Sequence, residues 1–488
     1  MITEMKKIPV TEQSVPFMTA TKSCDFEKYG YVEDEYFQTG TANIYAEDAR
    51  GNLIVTTPDA PYTTRLFVRR PADVSKFSGN VIVEIVNSTA NFDIDRDWMF
   101  IWKKVMRDGD IYIGITSKGH VVDALKKFDP ERYAPINWAN PTPDREAPDF
   151  HGATFVFDFL PQYEMGLFWD MFVDLAKILR QDSPLNPIRE YGTNWLYAAA
   201  WSQSGSYVAR IVHSFAYLPE NCADGPLFDG YYMAGTGAMD KALNSYDAPA
   251  GFAFSGSGAS ILVTKEPMLA INTESEARRM NWHGDADEPG YKFRTWQIPC
   301  SSHDTKYSMI DYYAPLADQL QKCGIVMDWE GVPENGVPMD TPYEPIFAAG
   351  LAALIRWVRD GIPAPHAPKL LTEVSEEPVD FTGDHVGYLK DAFGNAMGGI
   401  RYATADCPTA RYQSWTDHAD GKGVQMMFGT AKPFSVAMLK ELYGDLAHYR
   451  KLVEKSTDRA VAQGFVLPED RDEMIEQVVA VAKSRGLE

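Results

Sequence analysis

The chain has 488 residues, with 46 Lys and Arg against 68 Asp and Glu, for a formal charge of −22 at pH 7. Hydrophobic residues make up 45% and charged residues 23%, enough apolar material for a large core, which excludes a disordered chain. Such an acidic balance, with the basic residues scattered, argues against nucleic acid as a partner; the densest basic group, Lys103, Lys104 and Arg107, reads as one solvated helix face.

Residues 1–35 are polar and read as an N-terminal segment ahead of the core. Strand patterns follow at Tyr36 to Tyr45, Thr63 to Arg70 and Asn80 to Asn87; the last is a nearly continuous β-branched run, as expected of a strand buried on both faces. Trp98 to Met106 has helical spacing and ends before Gly109, and Ile111 to Thr116 is a short apolar strand. Strand, helix and strand in so short a span predict a parallel βαβ unit. Phe155 to Arg180 reads as a helix, Trp195 to Trp201 as a strand and Tyr207 to Phe215 as a helix. Asp229 to Gly235, Pro267 to Asn272 and Phe293 to Ile298 are strands, and Tyr343 to Arg359 is a helix stopped by Gly361-Ile362-Pro363. The alternation predicts an α/β core over 36–365, a mostly parallel doubly wound sheet with loop or lid insertions at about 128–160 and 235–262. Residues 366–488 read as an irregular C-terminal extension of short strands, closed by helical patterns at Ser435 to Val461 and Glu469 to Arg485.

The sharpest chemical signal is Trp201-Ser202-Gln203-Ser204-Gly205-Ser206, between a strand and a helix. That is the context of a nucleophile elbow, where small residues flank the nucleophile at two positions before and after. Centred on Ser204, the small residues are Ser202 and Ser206, and the Gly205 N–H at the helix start is aimed at a developing oxyanion. The bland alternative is a serine N-cap.

In this fold the triad runs nucleophile, acid, histidine along the chain. Past the strand at Pro267 to Asn272 stands Thr273-Glu274-Ser275-Glu276, a carboxylate site at a strand's C-terminal end; Glu276 has the better spacing and Glu274 competes with it. His303, in the loop after Phe293 to Ile298, is the expected general base, ahead of His283 and the other histidines. The second oxyanion donor is expected after the strand ending at Asn87, with the Thr89 N–H preferred and Ser88 next.

The five cysteines are far apart without a C-x-x-C pair, so neither a disulfide framework nor a zinc knuckle is expected. No metal, nucleotide or other cofactor is expected, since neither a ligand cluster nor a glycine-rich phosphate loop is present. The N-terminus lacks a signal-peptide core, and no run reaches the ~20 apolar residues of a membrane span, so the expectation is a cytoplasmic protein without a membrane partner. A homo-oligomer stays open beside a monomer.

Several stretches together resemble the large bacterial and fungal alpha/beta hydrolase domain-containing proteins, a serine-hydrolase group. They are Glu35 to Ala42, Ala60 to Arg65 with Arg69-Arg70-Pro71, Val121 to Lys126 with Asp129 to Tyr133, Ser202-Gln203-Ser204, Trp296 to His303 and Asp391 to Arg401. The resemblance implies an α/β-hydrolase fold with Ser204 as nucleophile and His303 as base; where such relatives carry Thr-Glu-x-Asp, this chain has Glu276 in place of the aspartate. The leading expectation is a serine hydrolase whose substrate is a small-molecule carboxylic ester, with Ser204, His303 and Glu276 as its triad. The same site also suits an acyltransferase, an amidase or a C–C bond hydrolase, because the pocket sets the scissile bond. A non-catalytic binding relative is the reading from another class. Trp138, Phe155, Phe157, Phe159, Tyr231, Tyr232 and Phe252 are candidates for an apolar pocket lining or for ordinary packing.

Overall fold

A computed structural model describes residues 1–147, 160–236, 241–247, 264–277, 284–325, 336–373, 387–414 and 428–488. Its centre is a ten-stranded sheet in the order β1-β2-β3-β5-β4-β6-β7-β8-β10-β9. The strands are β1 Ile2–Ile8, β2 Tyr31–Glu47, β3 Leu53–Pro71, β4 Asn80–Ile85, β5 Ile111–Ile115, β6 Trp195–Trp201, β7 Gly230–Ala234, β8 Met268–Thr273, β9 Ala286–Glu288 and β10 Tyr291–Ile298. From β5 to β10 neighbouring strands run parallel, and β1 to β3 and β9 add antiparallel edges. β4 to β8 are buried on both faces apart from Trp195, as expected of strands roofed by helices. This is the α/β-hydrolase architecture.

Within the N-terminal segment, Ile2–Ile8 pairs along β2 as the outermost strand. Its apolar ends are buried while its polar middle faces out, a pattern too sparse to read as a strand. The helix Arg96–Asp108 lies between β4 and β5, starts on a carboxylate and stops at left-handed Gly109 (φ 82°). Glu84 of β4 accepts the backbone N–H groups of Asp97 and Trp98 at 3.1 Å each, satisfying donors that the helix start leaves open. Lys104 of this helix does not lie on a solvated face. It is buried and ion-paired to Asp110 and Asp108, because its stem follows the helix flank into the end of β5.

The expected helix from Phe155 is helical over Phe168–Leu179; residues 148–159, with Phe155, Phe157 and Phe159, lie outside the described residues, as does Phe252. Trp138, Tyr231 and Tyr232 are fully buried packing residues. The pattern Ser435 to Val461 is two helices, Val436–Tyr443 and Leu446–Ala462, broken at Gly444. The C-terminal part joins the core through Ile400 N–H to Gln297 O (2.8 Å), the Trp296–Phe465 edge contact and the Arg107–Asp470 and Arg485–Asp340 ion pairs.

Three of the stretches behind the resemblance, around Glu35, Arg65 to Arg69 and Arg132, meet in one buried network. Buried Glu35 accepts from Arg65, Arg132 and Tyr133, and Arg65 also pairs with Asp93. Arg69 pairs with Glu33 and Asp95. Arginine suits these positions because its planar fork serves several acceptors at once.

Candidate active site

The sharp turn after β6 falls on Ser202, not on Ser204. Trp201 is extended (φ −110°, ψ 137°), Ser202 is left-handed (φ 58°), and Ser204 has ordinary helical geometry (φ −67°, ψ −22°). A left-handed serine costs about 1–2 kcal/mol, and such strain gathers at functional positions. Ser202 is partly exposed, whereas Ser204 is fully buried and its hydroxyl donates to Val86 O at 3.4 Å, on the β4 side of the turn. The frame of small residues is therefore Ala200-Trp201-Ser202-Gln203-Ser204.

Gly205 also has a different part from the one expected. Its N–H closes the turn onto the carbonyls of Ser202 and Gln203, so it is engaged. The residue is glycine for close packing: a Cβ there would stand 2.2 Å from Thr236 Cγ2 at the exit of β7.

Glu276 and His303 meet. Glu276 follows β8 and His303 follows β10, adjacent parallel strands that end side by side. Glu276 Oε1 takes the His303 Nδ1 hydrogen bond, and its Oε2 accepts Thr273 N–H at 3.0 Å and Thr273 Oγ1 at 2.6 Å. Burial pushes this carboxyl up, but the His303 ring and the hydrogen bonds from His303 and Thr273 outweigh it and hold it below the ordinary glutamate value. Glu274 serves elsewhere: its Oε2 accepts the Cys300 N–H at 2.9 Å. Asp304 pairs with Arg96, whose guanidinium also holds His303 O at 2.6 Å. Ser275 Oγ receives the His303 N–H at 3.0 Å. The ring of His303 lies beside the elbow, 5.4 Å from the Trp201 ring.

The loop after β4 reaches the same corner. Asn87 Nδ2 donates to Trp201 O at 3.1 Å and Asn87 Oδ1 accepts the Thr89 N–H at 2.9 Å, so the N–H expected to face an oxyanion is already used. Asp93, Asp95 and Arg96 fasten this loop to Arg65, Arg69 and the His303 loop. His120 Nε2 contacts Ser88 O at 2.9 Å, and His283 lies outside the described residues. No group of three or more His, Cys, Asp or Glu side chains suited to a metal occurs among the described residues, and no described helix is long and apolar enough to cross a membrane.

The sequence reading took Ser202 only as a small flank of Ser204, and it did not single out Trp201, Asn87 or Arg96, which the fold brings to this corner. For Ser202 a signal existed, since Ala200 and Ser204 are also small; the contacts of the other three depend on the folded geometry.

A parallel sheet bearing a strained serine turn and a buried carboxylate–histidine pair at its C-terminal edge defines the α/β-hydrolase class. The chain belongs to the alpha/beta hydrolase domain family, whose model matches residues 4–476. No curated protein matches the chain. Among solved structures it is similar to the esterase Est22 (11% identity, 63% of this chain and 83% of that one, TM-score 0.33). It is also similar to brefeldin A esterase, a bacterial homologue of human hormone-sensitive lipase (10%, 60% and 76%, TM-score 0.30), and to a Rhizomucor miehei esterase (9%, 60% and 84%, TM-score 0.30). Overlaps this weak carry no argument about the chemistry of this chain.

Proposed function

We propose that the protein is a serine hydrolase acting on a carboxylic ester, with Ser202 as nucleophile, His303 as general base and Glu276 as the acid that orients it. Ser202 Oγ attacks the ester carbonyl while its proton passes to His303 Nε2. The imidazolium returns that proton to the departing alcohol, leaving an acyl-enzyme that water cleaves by the same steps. Glu276 keeps the proton on Nδ1 and stabilises the charged ring. With Ser202 as nucleophile, the first oxyanion donor is the Gln203 N–H, one residue on, and the second comes from the Ser88–Ala90 loop.

The observation that carries this reading is the buried Glu276–His303 pair, whose imidazole contacts Trp201, the residue before the left-handed Ser202. Labelling with a fluorophosphonate probe tests it. Wild type and Ser204→Ala are expected to react and Ser202→Ala to stay unmodified. An unreactive wild type defeats the hydrolase reading; a reactive Ser202→Ala beside an inert Ser204→Ala returns the nucleophile to Ser204. Turnover of a panel of simple esters and amides, with and without an alcohol acceptor, then separates esterase from amidase and acyltransferase.

A further inference from the structure

We infer that Trp201 is a positioning residue that caps the proposed base in the resting protein, so that His303 must leave the indole before it can serve Ser202. The inference rests on the reading of His303 as base. Trp201 Nε1–H donates to His303 Nε2 at 3.2 Å, and both side chains are buried. An indole nitrogen can only donate, so Nε2 must present its lone pair and the ring must carry its proton on Nδ1, where Glu276 receives it. The tautomer is thereby fixed from both sides. A neutral imidazole has one lone pair for a proton, and the indole holds the one that Ser202 needs.

The tryptophan cannot easily yield. Its ring stacks on Phe100 (4.8 Å), packs against Phe347 (5.1 Å) and lies under the Arg96 guanidinium (5.1 Å), while Asn87 grips its carbonyl. Gly235 abuts both rings: a Cβ there would stand 2.9 Å from Trp201 Cε2 and 3.2 Å from His303 Cε1. The mobile partner is therefore the imidazole, by a small rotation that keeps Nδ1 on Glu276. The ionisable groups around it are Glu276 past β8, Arg96 with Asp304 from the helix after β4 and its own loop, and Tyr343, which bonds the Ser302 carbonyl at the start of the helix Glu344–Asp360. None of them replaces the indole as a donor to Nε2 among the described residues.

The Trp201→Phe variant keeps the ring and deletes the N–H. A donor on Nε2 favours the uncharged ring, so its loss should move the acidic limb of the kcat/KM profile to higher pH by about half to one unit. Fluorophosphonate labelling on the alkaline plateau should also become several-fold faster. An unmoved limb would reduce Trp201 to packing. Wild type supplies a second measurement in case the variant does not fold: the Trp201 indole N–H resonance should shift with the titration of the His303 ring nitrogens. An indole signal indifferent to that titration overturns the inference even in an active enzyme. An unlabelled wild type with a coupled indole signal instead defeats the hydrolase reading and leaves the bond standing.

Discussion

Glu276 reaches His303 with one carboxylate oxygen and Thr273 with the other, so a single side chain ties the proposed base to the end of β8. Glu276→Gln preserves the shape but removes the charge that supports an imidazolium. The expected loss in kcat is about 10²–10⁴-fold, with KM little changed. Glu274→Gln, whose parent carboxylate serves the Cys300 N–H, should retain kcat to within a few-fold. Steady-state kinetics on a simple aryl ester compares the two; a larger loss in Glu274→Gln would reverse the assignment.

Arg96 joins the proposed oxyanion loop to the histidine loop through His303 O and Asp304, with both charged partners buried. Arg96→Ala leaves the Asp304 carboxylate without its cation and should cost about 3–5 kcal/mol. Urea unfolding reads that cost directly. Lowering the temperature should recover folded protein with a reduced kcat, because His303 O has lost its anchor.

Glu84 offers a pH test of the fold. Burial is the main cause pushing its carboxyl up, to about 8, against the donors Tyr112, Asp97 N–H and Trp98 N–H; the nearby Asp95 charge adds to the rise. The folded protein therefore keeps a proton that the unfolded chain sheds near 4.5, and stability should fall as pH rises from about 5 to about 8. In Glu84→Gln that component is absent. The difference in Tm between those two pH values should shrink by roughly 2–5 °C in thermal melts; an unchanged difference would place the carboxylate charged in the native state.

Much of the sheet was legible because β4 to β8 are short apolar runs whose burial on both faces leaves little else for them to be. The contact between Glu276 and His303 was legible from chain order, since a carboxylate after one strand and a histidine after the next come together when those strands lie side by side. The register of the elbow was not. Small residues fit two frames, Ala200/Ser204 and Ser202/Ser206, and only the backbone turn at Ser202 separates them. Thr89 and Gly205 were chosen for backbone N–H groups that the fold uses internally, one on the Asn87 side chain and one on the turn. Lys104 looked solvated because composition cannot show that Asp110 waits beneath it.

The left-handed backbone at Ser202 also bears on how this protein would fare under laboratory evolution. Glycine accepts that conformation without a clash, so Ser202→Gly should melt higher than wild type while the proposed hydrolase activity disappears. A screen rewarding heat resistance alone would then enrich dead variants at this codon, and any campaign for robustness has to select for turnover at the same time.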